Sequence, residues 1–406
     1  MRARATILAA SVAALAAALA ATPAHALAPC AGAAVTTRTL LSGQGTLESA
    51  IVDRKGRLFF TNGTQLLRLD APGGQPKGMV DGVDHPGGLV LDDQGKLIMG
   101  VGDSIQNGTA GDNTGPASLM HVDPDTGAHS TYATGLSMAN GVARAADGTI
   151  YATNDIGASV DRIAPGGKTT QRSWATVRSG NGIVVGGSGQ YLYVVQTFQP
   201  AAVQRIDIAH PDQVTPYFAA SDSGDLSAGL DGMTRDANDT LYIAANGAGA
   251  IWRVDPGPPV KACQLLGGLP GFPSGPSMVV PGNPIGPFPP NNLYVVTFGG
   301  DVIELRNAVP LTSALPGPYA PPAKVLHVVA SPSSARAGQR TRFSFTVSAP
   351  GRPTIAGATV RFAGHRAKTG RTGRATITAT PRRAGRLKAR ATLEGFRAAS
   401  ATVRVR

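Results

Sequence analysis

One short pattern recurs six times between residues 48 and 297, and it restricts the possible folds more than any other feature of the chain. Each copy opens on a polar or small residue and continues through a few apolar residues. A Gly, Asn or Asp turn comes about eight positions on, and an apolar strand follows it. The copies run Glu48–Asn62, Gly87–Met99, Asn140–Asn154, Asn181–Val195, Asp231–Ala244 and, more loosely, Met278–Thr297. A further segment follows each one: Leu66–Leu69, Leu119–Val122, Val160–Ile163, Val203–Ile206, Ile251–Val254 and Val302–Leu305. These segments mix apolar and polar residues in alternation, as half-buried strands do. Fourth strands are legible at Ser130–Ala133 and Ala262–Leu266.

Six copies of a four-stranded unit, spaced by roughly 40–50 residues, match the blades of a β-propeller. The sixth copy lacks an outer strand, because the chain runs on into Asn307-Ala308-Val309-Pro310. Thr36–Leu41, ahead of the first copy, is a strand without a sheet. Placing it on the sixth copy removes two open edges and closes the circle. A two-sheet sandwich would also use such strands, but it gives no reason for a polar residue at one fixed offset. The chain is rich in Gly (52) and Pro (31), and no long stretch after residue 30 has a 3.6-residue apolar period. Helical and doubly wound folds are thereby excluded.

The flanks have other roles. Arg2 and Arg4, the apolar run Ala5–Ala21 and Ala24-His25-Ala26 predict an export signal over 1–26, cleaved before Leu27. No later segment is apolar enough to span a bilayer, so the expectation is a secreted or extracytoplasmic bacterial protein without a transmembrane anchor. Cys30 and Cys263 are the only cysteines, an even count that predicts one disulfide in an exported chain. The formal charge of +12 is unevenly placed: residues 324–406 hold 18 Lys and Arg against a single acid, Glu394. The rest of the chain is mildly acidic. Residues 310–323 are Pro-rich and predict a stiff linker. Beyond them, six short alternating strands over about 80 residues predict an immunoglobulin-like sandwich. The full expectation is all-β: a six-bladed propeller over 27–309, the linker, and a small basic immunoglobulin-like domain over 324–406. Outward arginines suit adhesion to an anionic cell-wall polymer or polysaccharide, and solubility alone is the other role such charge can have. They do not predict nucleic acid, because no aromatics interleave with them to stack bases.

In a propeller the first strand of each blade lines the central channel, so the residues that open the copies converge on its mouth. They are Glu48, Gly87, Asn140, Asn181, Asp231 and the stretch Ser274–Pro276. Two carboxylates and two carboxamides form an all-oxygen set of the kind hard cations prefer, calcium above all or another divalent ion. Unpaired, the carboxylates would repel one another. The same Asn-Gly and Asp-Gly pairs also form turns, which is an alternative reason for their presence. Glu48, followed by Ser49, does not fit that alternative.

Leu47-Glu48-Ser49, Asn181-Gly182-Ile183 and Leu230-Asp231-Gly232-Met233 resemble the senescence-marker protein/gluconolactonase family, with its strictosidine-synthase and paraoxonase relatives. The likeness spans roughly residues 40–305, the repeat region. It implies a six-bladed propeller that holds a divalent metal, usually calcium, through Glu48, Asn181 and Asp231. Asn140 matches a family Asn that contacts substrate or metal. Sugar-lactone members carry an Arg two positions before that Asn and an Asp after it, where this chain has Met138 and Gly141. A less polar lactone or ester is therefore the expected small-molecule substrate. Thr153-Asn154-Asp155 resembles the paraoxonase branch, whose catalytic His lies in the second blade. Here His85 is nearest, two positions out of register. The resemblance implies a secreted calcium-dependent hydrolase, with Asp231 or His85 taking the proton from the attacking water. A non-catalytic propeller that binds a small ligand, glycan or protein is the alternative. The insertion Gly102–Gly115 is expected to be a loop covering one mouth of the channel.

Overall fold

The computed structural model describes residues 27–32, 35–198, 200–220, 228–310, 324–349, 354–393 and 396–406. The expected signal, 1–26, and all of the expected linker after Pro310 lie outside the described residues. Two compact units divide between Tyr319 and Ala320.

The first unit consists of four-stranded antiparallel sheets taken in chain order. Their inner strands are Leu47–Val52, Pro86–Leu91, Val142–Arg144, Gly180–Val185, Leu230–Arg235 and Pro276–Pro281. Each inner strand packs on the next, and the last packs on the first, so the sheets stand in a ring. This is a propeller fold. The last sheet takes Thr36–Leu41 as its outer strand, with Thr37 opposite Leu305 and Arg38 opposite Glu304. On the inside the Ser277 hydroxyl lies 2.6 Å from the Leu47 carbonyl oxygen, tying the last sheet to the first. Asn283 Nδ2 makes a second tie, donating to the Asp53 carbonyl at 2.9 Å.

The segment ahead of the closing strand is fastened to a different sheet. Gln264 N donates to the Ala28 carbonyl at 2.9 Å, and Cys30 N donates to the Gln264 carbonyl at 3.0 Å. The Cys30–Cys263 disulfide locks this addition to the edge of the fifth sheet, with the two Cα atoms 4.9 Å apart.

Five of the inner strands share one irregularity. Their register shifts between Leu47 and Ala50, Pro86 and Leu89, Gly180 and Ile183, Leu230 and Met233, and Pro276 and Met278. A bulge of this kind re-aims the side chain it carries, and Glu48, Gly87, Asn181 and Asp231 lie within these stretches. Asn181-Gly182 and Asp231-Gly232 therefore sit inside strands and form no turns. Their glycines answer to a close approach. A Cβ on Gly182 would stand 2.6 Å from the Asp231 carbonyl oxygen, and one on Gly141 would stand 2.3 Å from that of Asn181. The entrances of the third and fourth sheets are thus pressed against the backbone of the sheet that follows.

The insertion corrects the expected loop: Ile105–Thr114 is an α-helix. Its composition disfavours helix, but its ends are well specified. Ser104 Oγ accepts from Asn107 N at 3.2 Å, and Gly115 ends the helix in the left-handed conformation. Gly111 lets the helix lie directly on Ser137, and Asp112 accepts from Asn154 Nδ2 at 2.9 Å and from Ala158 N at 3.0 Å. Tertiary packing supplies what propensity does not.

The second unit contains a three-stranded sheet of His327–Ser331, Thr341–Ser348 and Arg374–Ala379. A five-stranded sheet runs in the order Ser334–Ala335, Ala399–Val405, Gly385–Thr392, Thr359–Phe362 and His365–Lys368. Phe343, Phe345 and Phe362 pack against one another in its core, with Val347, Val360, Ile377 and Val403.

Candidate functional site

The bulged entrances bring their polar side chains together. Glu48 from the first sheet, Asn140 from the third, Asn181 from the fourth and Asp231 from the fifth are partners in one network. Asn140 Nδ2 lies 3.4 Å from Glu48 Oε1 and 3.4 Å from Asp103 Oδ2. Asn246 Nδ2 lies 3.4 Å from Asp231 Oδ2, and Asn181 also hydrogen-bonds that carboxylate. At 3.4 Å these are long contacts, weaker than ordinary hydrogen bonds.

Two further carboxylates belong to the site. Asp103 follows the second strand of the second sheet, where its N–H donates to the His85 carbonyl at 2.9 Å. Asp155 follows the second strand of the third sheet, in the loop packed beneath the helix. In the sequence Asp155 stands out only within Thr153-Asn154-Asp155, and Asp103 only as part of the Gly102–Gly115 insertion, so neither belongs to the set of entrance residues. Their signal was positional: each comes directly after a strand whose neighbour carries an entrance residue.

Burial together with neighbouring acids raises three of these four carboxylates, and burial raises the fourth. Burial, then the charges of Asp103, Asp231 and Asp155, pushes Glu48 well above the usual carboxylate range. Burial, then Asp155 and Asp103, does the same to Asp231. Burial and then Asp155 raise Asp103. Asp155 is raised to about 6, mainly by burial, with backbone N–H groups opposing the rise. Asp231 is only 5% exposed. The other three are enclosed by protein yet keep some solvent contact.

The network also leaves oxygens unmet. Asp103 Oδ1, Asp155 Oδ1, Asp231 Oδ1 and Asn246 Oδ1 are buried and have no hydrogen-bond partner among the described residues. Buried oxygens are rarely left so. Orphaned oxygens of this type, with neither thiolate nor imidazole among them, fit a hard divalent cation. Among the described residues no group of three or more acidic, His or Cys side chains is placed so that it could hold a metal ion by itself. The donor set is instead a mixture of carboxylates and carboxamides spread over several sheets.

His85 is placed differently. It sits in the turn before the second inner strand with φ of 43°, and its Nδ1 lies 2.7 Å from Asp84 Oδ1. Its side chain is 59% exposed. Among the described residues its ring makes no hydrogen bond to the four carboxylates; its backbone carbonyl is what supports Asp103. Met138, two residues before Asn140, is buried with its sulfur near Gly108 of the helix.

No protein-family model matches the chain, and no curated protein matches it. Solved structures do. The chain is similar to a gluconolactonase from Xanthomonas campestris at 16% identity, over 70% of this chain and 98% of that one, with a TM-score of 0.51. It is similar to the calcium-binding protein regucalcin from Agrobacterium tumefaciens at 17% identity, over 67% of this chain and 93% of that one, with a TM-score of 0.50. Among the described residues no helix is long and apolar enough to cross a membrane. At these identities the likeness concerns the fold, and in fold the chain stands with the gluconolactonase- and regucalcin-type propellers.

Proposed function

We propose that this chain is an exported, six-bladed propeller with an immunoglobulin-like basic domain, and that the propeller hydrolyses a lactone or ester with the help of a divalent cation, calcium first. The observation that carries this reading is the convergence of Glu48, Asp103, Asp155 and Asp231 with oxygens left unpaired. The gluconolactonase and calcium-binding neighbours point the same way.

Glu48, Asn181 and Asp231 would hold the cation, which supplies polarisation of the substrate carbonyl and charge stabilisation as it becomes an oxyanion. Asn140, between Glu48 and Asp103, would orient that carbonyl through its amide. Asp231 takes the proton from water as the water oxygen bonds to the carbonyl carbon. The carbonyl-to-alkoxy C–O bond then breaks, and the proton passes to the leaving oxygen to give an alcohol and an acid. The exposed imidazole of His85 is the second candidate for this proton transfer. Buried Met138 and the glycine at 141 leave few partners for substrate hydroxyls, which favours a substrate less polar than a sugar lactone.

The test is a panel of aliphatic lactones, aryl esters and gluconolactone, assayed with calcium and with chelator. Turnover of an aliphatic lactone or ester that disappears on chelation supports the reading. Activity that survives full chelation excludes the mechanism, and calcium binding without activity on any class leaves a binding module.

A further inference from the structure

The five-stranded sheet of the second unit carries a charge pattern that its own folding does not require. Register sets Arg361 opposite Arg366 on one neighbouring strand and opposite Arg390 on the other. It sets Arg386 opposite Arg404, while Lys388 lies between Arg386 and Arg390 on the same strand face. All six side chains are exposed, and none has an ion-pair partner among the described residues. Like charges directly opposite one another repel. The inner alternation of the same strands is apolar, with Val360, Phe362, Ala389, Ala391 and Val403 buried. Neutral residues suffice for the outer face, as Ser400 and Thr402 show beside them.

We propose that this face binds a linear polyphosphodiester of the polyol-phosphate type, laid along the strand that carries Arg386, Lys388 and Arg390. Alternate residues of a strand advance roughly 6.5–7 Å, and neighbouring strands stand about 5 Å apart. The face is therefore a regular cationic grid suited to an extended chain with recurring charge. Arginine predominates in it, and its planar fork matches the oxygens of a phosphate group. A nucleic acid is disfavoured because Phe343, Phe345 and Phe362 are all buried, which leaves this face without an aromatic on which a base could stack. The inference does not depend on the chemistry of the first unit.

The test measures binding of the full chain to poly(glycerol phosphate), with single-stranded DNA, polygalacturonate and phosphatidylglycerol vesicles as comparison ligands. Poly(glycerol phosphate) is expected to bind most tightly, with log affinity falling linearly in log salt. Arg386→Gln/Lys388→Gln/Arg390→Gln should weaken binding about tenfold or more and reduce the salt slope by about two to three. The charge-matched Arg342→Gln/Arg371→Gln/Arg374→Gln, on the three-stranded sheet and its adjoining turn, should change affinity less than about threefold. Arg361→Gln/Arg366→Gln, on the adjacent strands, gives an independent reading should the central triple fold poorly. Equal losses in the two triples would reduce the effect to bulk charge and overturn the proposal. Tighter binding of DNA, polygalacturonate or vesicles would overturn it in favour of that ligand, and no binding at low salt would remove it.

Discussion

Asn140 Nδ2 stands 3.4 Å from both Glu48 Oε1 and Asp103 Oδ2, so one carboxamide from the third sheet bridges carboxylates of the first and second. Neither contact is short, and each carboxylate is pushed upward by burial and by the other acids around it. The bridge moderates a repulsion that it does not remove.

Asp103→Asn should separate the two roles of that carboxylate. Removing one charge from the cluster relieves repulsion, so the calcium-free protein is expected to melt higher than the parent. Calcium affinity should fall, by about tenfold if the lost interaction is near 1.4 kcal/mol. Thermal melts with chelator and with calcium read both effects, and a variant that melts lower in chelator would contradict the repulsion.

The raised carboxylates also fix a pH dependence. In the folded, calcium-free chain Glu48, Asp103, Asp155 and Asp231 keep their protons to higher pH than in the unfolded chain. The folded state therefore binds more protons, and stability falls as pH rises from the usual carboxylate range through the folded values, Asp155 being near 6. Melting temperature in chelator should decline as pH rises from the usual carboxylate range through about 6. Calcium should flatten or reverse that decline, since ionised carboxylates bind it best.

The Cys30–Cys263 disulfide joins segments 233 residues apart in sequence. Cys263→Ser, or reduction, should cost about 2–4 kcal/mol of stability by enlarging the unfolded ensemble. The Thr36–Leu41 strand should keep its place on the last sheet, because its pairing with Val302–Arg306 is separate from the disulfide. Denaturant melts give the cost, and hydrogen exchange at Thr37 and Arg38 reports whether closure survives.

Much of the ring was legible because its inner and middle strands are short, apolar and regularly spaced. The closing strand was readable from an unfilled edge on the last sheet. Outer strands such as Lys77–Val80, Thr170–Thr176 and His210–Ala219 were not legible, because they are largely exposed and polar and carry no apolar period. The helix Ile105–Thr114 was hidden by its Gly, Asn and Thr content. Its two buried glycines become intelligible only when Ser137 and Ile156 are seen against them. In the site, Glu48, Asn140, Asn181 and Asp231 could be picked out by their common offset. Asp103 and Asp155 lie 16 and 15 residues after the entrance residues Gly87 and Asn140, past the second strands, so the offset that marks an entrance does not mark them. Only the closed ring reveals them.

Calorimetric titration of calcium into the chelator-stripped full chain tests most directly whether the converging carboxylates hold a cation. One calcium per chain is predicted, with Asp231→Asn losing most of the affinity while keeping its fold by circular dichroism. A parent chain that binds no calcium, or an Asp231→Asn variant that binds it unchanged, would contradict the claim.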